Sequence, residues 1–276
     1  MPGVRTGPEV VAHRGASAAR AEHTLGAYEE ALQQGADALE CDVRVTRDGH
    51  LVCVHDRRVD RTSTGRGVVS ELTLGAMSRL DFAQWHHELP DSADDLVFEP
   101  RASAPLGASR RSVLTFDALL GLVREHPKPV RLFVETKHPV RYAGLVESKL
   151  TAALVRHGLA EPVAKDDSPV VMMSFSGAAV RRFRAEAPKV PTVLLFDRPP
   201  RAARAGELPH YADLAGPSIR MLRTDPGFAE RVARRGRDTY CWTVDDPADV
   251  ALCRRAGVRF VATNAPAATR EHLTAR

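Results

Sequence analysis

The sequence predicts an α/β fold of the (β/α)8 TIM barrel type, with a small insertion over the C-terminal mouth of the barrel. Three observations predict it. Short apolar runs rich in valine and leucine alternate with stretches of helical periodicity, the pattern of parallel strands joined by crossover helices. The 276 residues are long for an average domain but ordinary for one closed barrel, so a single domain over residues 1–276 is expected. Acids, bases and cations collect at the ends of the apolar runs, which is where barrel enzymes place their chemistry. A doubly wound open sheet is the alternative, but no glycine-rich nucleotide loop follows the first run.

Residues 9–13 read as a first buried strand ending in His13. Thr24 is placed to cap a helix whose apolar positions Leu25, Tyr28, Leu32 and Ala36 follow helical spacing, with Gly35 suited to its end. Residues 38–43 form a second strand and 51–55 a third, separated by a turn centred on Asp48-Gly49. From about 57 to 112 the rhythm breaks into a polar glycine loop and a proline-rich stretch, read as an insertion over the barrel mouth; its part from 82 to 111 carries no readable pattern. Helices are expected over 115–125, 142–157, 177–187, 226–235 and 247–256, with another at the C-terminus. Strands are expected over 130–135, 170–174, 193–196, 216–222, 239–244 and 259–263. Nine strand candidates result where a barrel needs eight, and 216–222 is the weakest of them.

Composition excludes several classes. Hydrophobic residues make up 43% of the chain, enough for a large core. No apolar run reaches the roughly 18 residues a membrane helix needs, and the first eight residues lack the apolar core of a signal peptide. A cytoplasmic protein with no stable membrane insertion is expected. The 39 basic residues are nearly balanced by 35 acidic ones and are dispersed, with no basic tract interleaved with aromatics, so no nucleic-acid partner is expected. The net charge of +4 suits an anionic small substrate. Cys41, Cys53, Cys241 and Cys253 lack zinc-site spacing and read as small core residues. Nothing in the sequence sets an oligomeric state.

The most informative segment is Ala36-Asp37-Ala38-Leu39-Glu40-Cys41-Asp42-Val43. A strand points alternate side chains to one face, so Glu40 and Asp42 share a face while Cys41 turns to the other. Two buried carboxylates side by side repel each other and lose hydration, and a hard divalent cation is the usual compensation. Glu135 and Lys137 repeat the spacing, and His13-Arg14 and His55-Asp56 close two further runs. Any one of these has a structural explanation; a histidine after an apolar run is usually a hydrogen-bonded core residue. Four such segments ending in complementary groups point to a site.

The motifs His13-Arg14-Gly15, Glu22-His23-Thr24, Gly35-Ala36-Asp37, Glu40-Cys41-Asp42-Val43, Thr46-Arg47-Asp48-Gly49 and His55-Asp56 resemble those of glycerophosphodiester phosphodiesterases. Glu135-Thr136-Lys137, Ser174-Phe175, Trp242-Thr243-Val244 and Thr263-Asn264-Ala265-Pro266 continue the resemblance in order over nearly the whole chain. It implies a TIM barrel that hydrolyses glycerophosphodiesters to sn-glycerol 3-phosphate and an alcohol, with a divalent metal, Ca2+ or Mg2+, as cofactor. It implies Glu40, Asp42 and Glu135 as metal ligands, and His13 and His55 as the general acid/base pair. Arg14 and Lys137 would contact phosphate, Glu22 would lie near the site, and Trp242 would line the substrate pocket. Two departures stand out. His23 replaces the family's common asparagine, for which a surface or capping role is expected ahead of the alternative, an extra histidine at the site, and Asn264 stands where aspartate is frequent. The alternatives are a phospholipase D-like enzyme cleaving lysophospholipids on the same barrel, and a catalytically silent binding barrel.

Overall fold

The computed structural model describes residues 7–86, 110–141 and 144–274. Its strands are β1 (Glu9–His13), β2 (Ala38–Val45), β3 (Leu51–Cys53), β4 (Arg131–Thr136), β5 (Val170–Ser174), β6 (Thr192–Phe196), β7 (Leu214–Pro217), β8 (Asp238–Cys241) and β9 (Phe260–Thr263). All but β3 run parallel, in the order β1-β2-β4-β5-β6-β7-β8-β9, and β9 pairs back to β1 to close an eight-stranded barrel. The helices are α1 (Leu25–Gln33), α2 (Leu74–Met77), α3 (Phe116–Glu125), α4 (Leu145–Arg156), α5 (Gly177–Glu186), α6 (Ile219–Thr224), α7 (Phe228–Arg234), α8 (Pro247–Ala256) and α9 (Pro266–Thr274). As expected, Thr24 caps α1, its hydroxyl accepting from the Ala27 N–H.

The surplus strand is β3, not the run 216–222. β3 pairs antiparallel with β2, Val43 facing Cys53. The turn around Asp48-Gly49 is too short for a crossover, so the chain can only fold back on itself. The run 216–222 instead divides. Leu214–Pro217 is the barrel strand β7, Pro217 ends it, and the Ser218 hydroxyl caps α6 by accepting from the Met221 N–H. Gly216 is required in β7, since a Cβ there would lie 2.6 Å from a Leu195 methyl carbon and 2.8 Å from one of Val193.

Strand alternation sorts the apolar residues into two layers. Val11, Ala38, Phe133, Val171, Met173, Val193, Leu195, Tyr240 and Phe260 fill the barrel interior. Leu39, Cys41, Val43, Leu132 and Val134 face the helices, in a second and larger core. Glu40, Asp42 and Glu135 alternate with those outward residues and therefore rise above the interior layer at its C-terminal end. Residues 57–86 of the insertion carry a small core of their own, including Val59, Val69, Met77 and Phe82, packed on Val52 and Val54. Residues 87–109, most of the stretch without readable pattern, lie outside the described residues, as do 1–6 of the N-terminal segment and 142–143 at the start of the expected 142–157 helix.

Candidate active site

Parallel pairing fixes the acids relative to one another. His13 stands opposite Glu40 between β1 and β2, and Asp42 stands opposite Glu135 between β2 and β4. Carboxylate oxygens of Glu40, Asp42 and Glu135 all lie within 4.8 Å of one another, and all three residues are buried. Burial and the neighbouring Asp42 charge raise Glu40 well above the usual carboxylate range and push Glu135 up to about 8. Asp42 goes the other way. Burial opposes its ionisation, but Lys137, the His23 hydrogen bond and Arg14 outweigh it and hold Asp42 well below its ordinary value. An all-oxygen donor set of three carboxyls, two of them raised by burial and by the charge of the third, fits a hard divalent cation.

The cations surround this cluster. Lys137 Nζ is 2.8 Å from Glu135 Oε1 and 3.4 Å from Asp42 Oδ1. The Arg14 backbone N–H donates to Glu40 Oε2 at 2.9 Å, while its Nε lies 3.2 Å from Asp42 Oδ2 and its Nη1 donates to Glu22 Oε1 at 3.2 Å. Glu22 also takes a double hydrogen bond from Arg61, at 2.7 and 3.0 Å. Arg14 holds a left-handed backbone with φ 62° and His23 one with φ 60°. Such non-glycine conformations cost of order 1–3 kcal/mol and cluster at functional sites. The adjoining Gly15 (φ 83°) lets the chain pass Ala27, whose carbonyl carbon would sit 2.7 Å from an added Cβ.

His55 reaches the mouth on the return strand of a hairpin, not at the end of a barrel strand. Arg44 anchors it, donating Nε and Nη2 to the His55 carbonyl at 3.0 and 2.8 Å. The His55 Nδ1–H donates to Asp56 Oδ1 at 2.7 Å, and Asp56 in turn accepts from Arg61 Nε at 2.6 Å. Burial lowers the His55 pKa, with Asp42 opposing. His13 is held differently. Its Nδ1 lies 2.8 Å from Asn264 Oδ1, which also accepts from the Ser17 hydroxyl. Burial and Arg14 hold the imidazole down to about 3. The two ring Nε2 atoms are left for the cavity.

That cavity, of about 130 Å3, is lined by His13, Arg14, Glu40, His55, Glu135 and Lys137 among its polar residues. Met173, Phe175, Leu195, Tyr240 and Trp242 give it an apolar and aromatic part. Trp242 is fixed by its Nε1–H donating to the Gly216 carbonyl at 2.9 Å and meets Phe175 edge-on at 5.1 Å.

Seven of the nine sequence-designated residues line that cavity, and Asp42 joins them through a carboxylate within 4.8 Å of those of Glu40 and Glu135. Glu22 stands behind Arg14, outside the cavity lining. His23 has no surface role. It is 5% exposed, with Nε2 2.9 Å from Asp42 Oδ2 and Nδ1 2.8 Å from the Tyr28 hydroxyl. The surface or capping expectation failed, and the alternative of an extra histidine beside the site fits: φ 60° accompanies a side chain turned inward to Asp42. Asp56, Arg61, Ser17 and Asp245 were not designated. Asp56 is the one with a signal, as the neighbour of His55. The four cysteines are free and buried, as expected of core residues.

The model of the glycerophosphoryl diester phosphodiesterase family matches residues 13–268. The chain belongs to this family. As a member of the glycerophosphoryl diester phosphodiesterases, it resembles probable glycerophosphodiester phosphodiesterase 1 of Mycobacterium tuberculosis, being 49% identical over 96% of this chain and 92% of the relative. It is 32% identical to a glycerophosphodiester phosphodiesterase of Bacillus subtilis, over 93% of this chain and 83% of that one. The barrel superposes on the crystal structure of glycerophosphodiester phosphodiesterase from Agrobacterium tumefaciens with TM-score 0.72 at 25% identity, covering 96% and 99% of the two chains. A phosphodiesterase of Oleispira antarctica solved with sn-glycerol-3-phosphate shares the fold at TM-score 0.78 and 20% identity, over 96% of each chain. Among the described residues of this phosphodiesterase no helix is long and apolar enough to cross a membrane.

Proposed function

We propose that the protein hydrolyses glycerophosphodiesters to sn-glycerol 3-phosphate and an alcohol, with His13 as general base and His55 as general acid. The observation that carries this reading is the closure of two histidines, two cations and the carboxyls of Glu40 and Glu135, clustered with Asp42, around one cavity in a chain of this family.

The tautomers support the assignment. Asn264 Nδ2 donates to Asp245 Oδ2, which turns the Asn264 oxygen toward His13. His13 therefore keeps its proton on Nδ1 and presents a bare Nε2, and with its pKa near 3 it stays neutral at working pH. His55, held by the Asp56 carboxylate, is the one placed to carry a second proton. His13 Nε2 takes the proton of the glycerol hydroxyl next to the diester. The freed oxygen attacks phosphorus, the bond to the alcohol breaks, and His55 gives its proton to the departing oxygen. Water then opens the cyclic phosphate, with the two histidines exchanging roles.

Glu40, Asp42 and Glu135 would hold a divalent cation, Ca2+ or Mg2+, whose contribution is charge neutralisation on the phosphoryl oxygens. Arg14 and Lys137 add positive charge from the protein side, and Glu22 acts by holding Arg14. Trp242 and Phe175 offer an apolar wall to the alcohol.

Turnover of glycerophosphocholine, glycerophosphoethanolamine, glycerophosphoglycerol and a lysophospholipid, each with added Ca2+ or Mg2+, tests the substrate class. The soluble diesters are expected to be cleaved and the lysophospholipid not. Rapid quenching should trap a cyclic glycerol phosphate. Entry of solvent oxygen in a single inverting step would count against His13 as the base for an internal hydroxyl.

A further inference from the structure

A second cavity, of about 110 Å3, lies behind the loop that carries His55 and shares no lining residue with the catalytic cavity. Arg44, Arg47, Arg57 and Arg141 line it, and no carboxylate does among the described residues. Val45, Val68, Val69, Val140, Leu145 and Val146 give it an apolar wall.

Arg44 is only 9% exposed, yet it has no ion pair among the described residues. Its Nε and Nη2 both bond to the His55 carbonyl, which leaves Nη1 for the cavity. The guanidiniums of Arg47 and Arg57 are exposed and likewise have no partner among the described residues. Buried or crowded guanidiniums are ordinarily paired with acids, and elsewhere in this protein they are: Arg14, Arg61 and Arg223 all meet carboxylates. A concave space with several guanidiniums, no acid and an apolar wall is complementary to a dianion carrying an apolar body. Guanidinium forks match phosphate oxygens bidentately, and a phosphate dianion balances several of them better than a single carboxylate does.

We propose that this cavity is a second binding site, for a phosphate monoester with an apolar substituent, held by Arg44, Arg47 and Arg57. It shares no lining residue with the catalytic cavity and does not rest on the diester assigned there, although Arg44 touches both through the His55 carbonyl.

Calorimetric titration of the full chain with hexyl phosphate tests it. The wild-type protein is expected to bind two equivalents. Exchange of both exposed arginines, Arg47→Ala with Arg57→Ala, should weaken one equivalent at least tenfold while glycerophosphodiester turnover persists. Lys137→Ala should weaken the other and leave the cavity equivalent in place, which separates this site from the catalytic one. Inorganic phosphate should bind the cavity at least tenfold more weakly than hexyl phosphate. Pelleting with vesicles containing phosphatidic acid, if lost in the double variant, assigns the headgroup of a lipid; hexyl phosphate binding without pelleting assigns a soluble ester. A single equivalent in the wild type, two undiminished equivalents in the double variant, or equal affinity for inorganic phosphate would overturn the proposal.

Discussion

The amide of Asn264 is turned by Asp245, which accepts from both its side-chain and its backbone N–H groups, so its oxygen is left to face His13. A neutral acceptor fixes the His13 tautomer without the charge that would raise its pKa. Asn264→Ala is expected to lower kcat by about 10–100-fold by freeing the ring, an effect smaller than removing the ring itself. His13→Ala and His55→Ala should each lose about 10²–10⁴ in kcat while the thermal unfolding midpoint stays close to wild type, measured by steady-state kinetics beside calorimetry. Near-wild-type turnover in either sinks the assignment. His23 bridges Asp42 and Tyr28, and the Tyr28 hydroxyl donates to the Glu40 carbonyl at 3.0 Å, so one imidazole steadies the strand that carries two of the three carboxyls. His23→Leu should weaken divalent-ion affinity by about 10–100-fold, read by direct metal titration. Residue types at the ends of apolar runs were legible because strand periodicity alone puts Glu40 and Asp42 on one face. The hydrogen-bonding partners Asn264, Asp245 and Arg61 were not, because they meet the histidines and Glu22 only when β9 closes on β1 and the insertion folds back over the mouth.

At the scale of elements, local signals read well and pairing partners did not. The Asp48-Gly49 turn was visible, and so was the strand after it. What single-strand periodicity could not show is that β3 pairs antiparallel with β2, outside the barrel, which is how His55 comes to the mouth beside Asp42. The run 216–222 was ambiguous because Gly216, Pro217 and Ser218 compress a strand end and a helix cap into three residues, and its apolar positions serve both periods. Gly216 offers a direct check of that revision. A Cβ there meets Val193 and Leu195 across the β6–β7 pair, and the Leu194 carbonyl oxygen at 3.0 Å, so Gly216→Ala should destabilise the fold by about 1–3 kcal/mol in denaturant unfolding. It should also disturb Trp242, whose indole N–H bonds to the Gly216 carbonyl.

For the whole molecule the three carboxyls couple stability to pH and to metal. Glu135, raised from 4.5 to about 8, binds a proton in the folded protein that the unfolded chain has released. In the metal-free protein its contribution is therefore full below 4.5 and is lost as pH rises through about 8, at a rate of at most about 1.4 kcal/mol per pH unit. Glu40 acts in the same sense. His13, lowered from 6.5 to about 3, acts in the opposite sense, but only below 6.5. Between pH 6.5 and 8 the metal-free protein should thus lose stability, and a divalent cation, by taking the deprotonated carboxyls, should reverse the trend. Unfolding midpoints recorded across that window with a chelator and with Ca2+ or Mg2+ measure it directly, and parallel curves would contradict it.

The central claim joins that carboxyl cluster to diester hydrolysis. It is tested most directly by following glycerophosphoglycerol by phosphorus NMR with chelator-stripped protein, before and after a divalent cation is restored. Conversion to glycerol 3-phosphate only after Ca2+ or Mg2+ is added, and its loss in Glu135→Ala, is the predicted result. No monoester with any added divalent cation, or equal turnover in the presence of chelator, would contradict it.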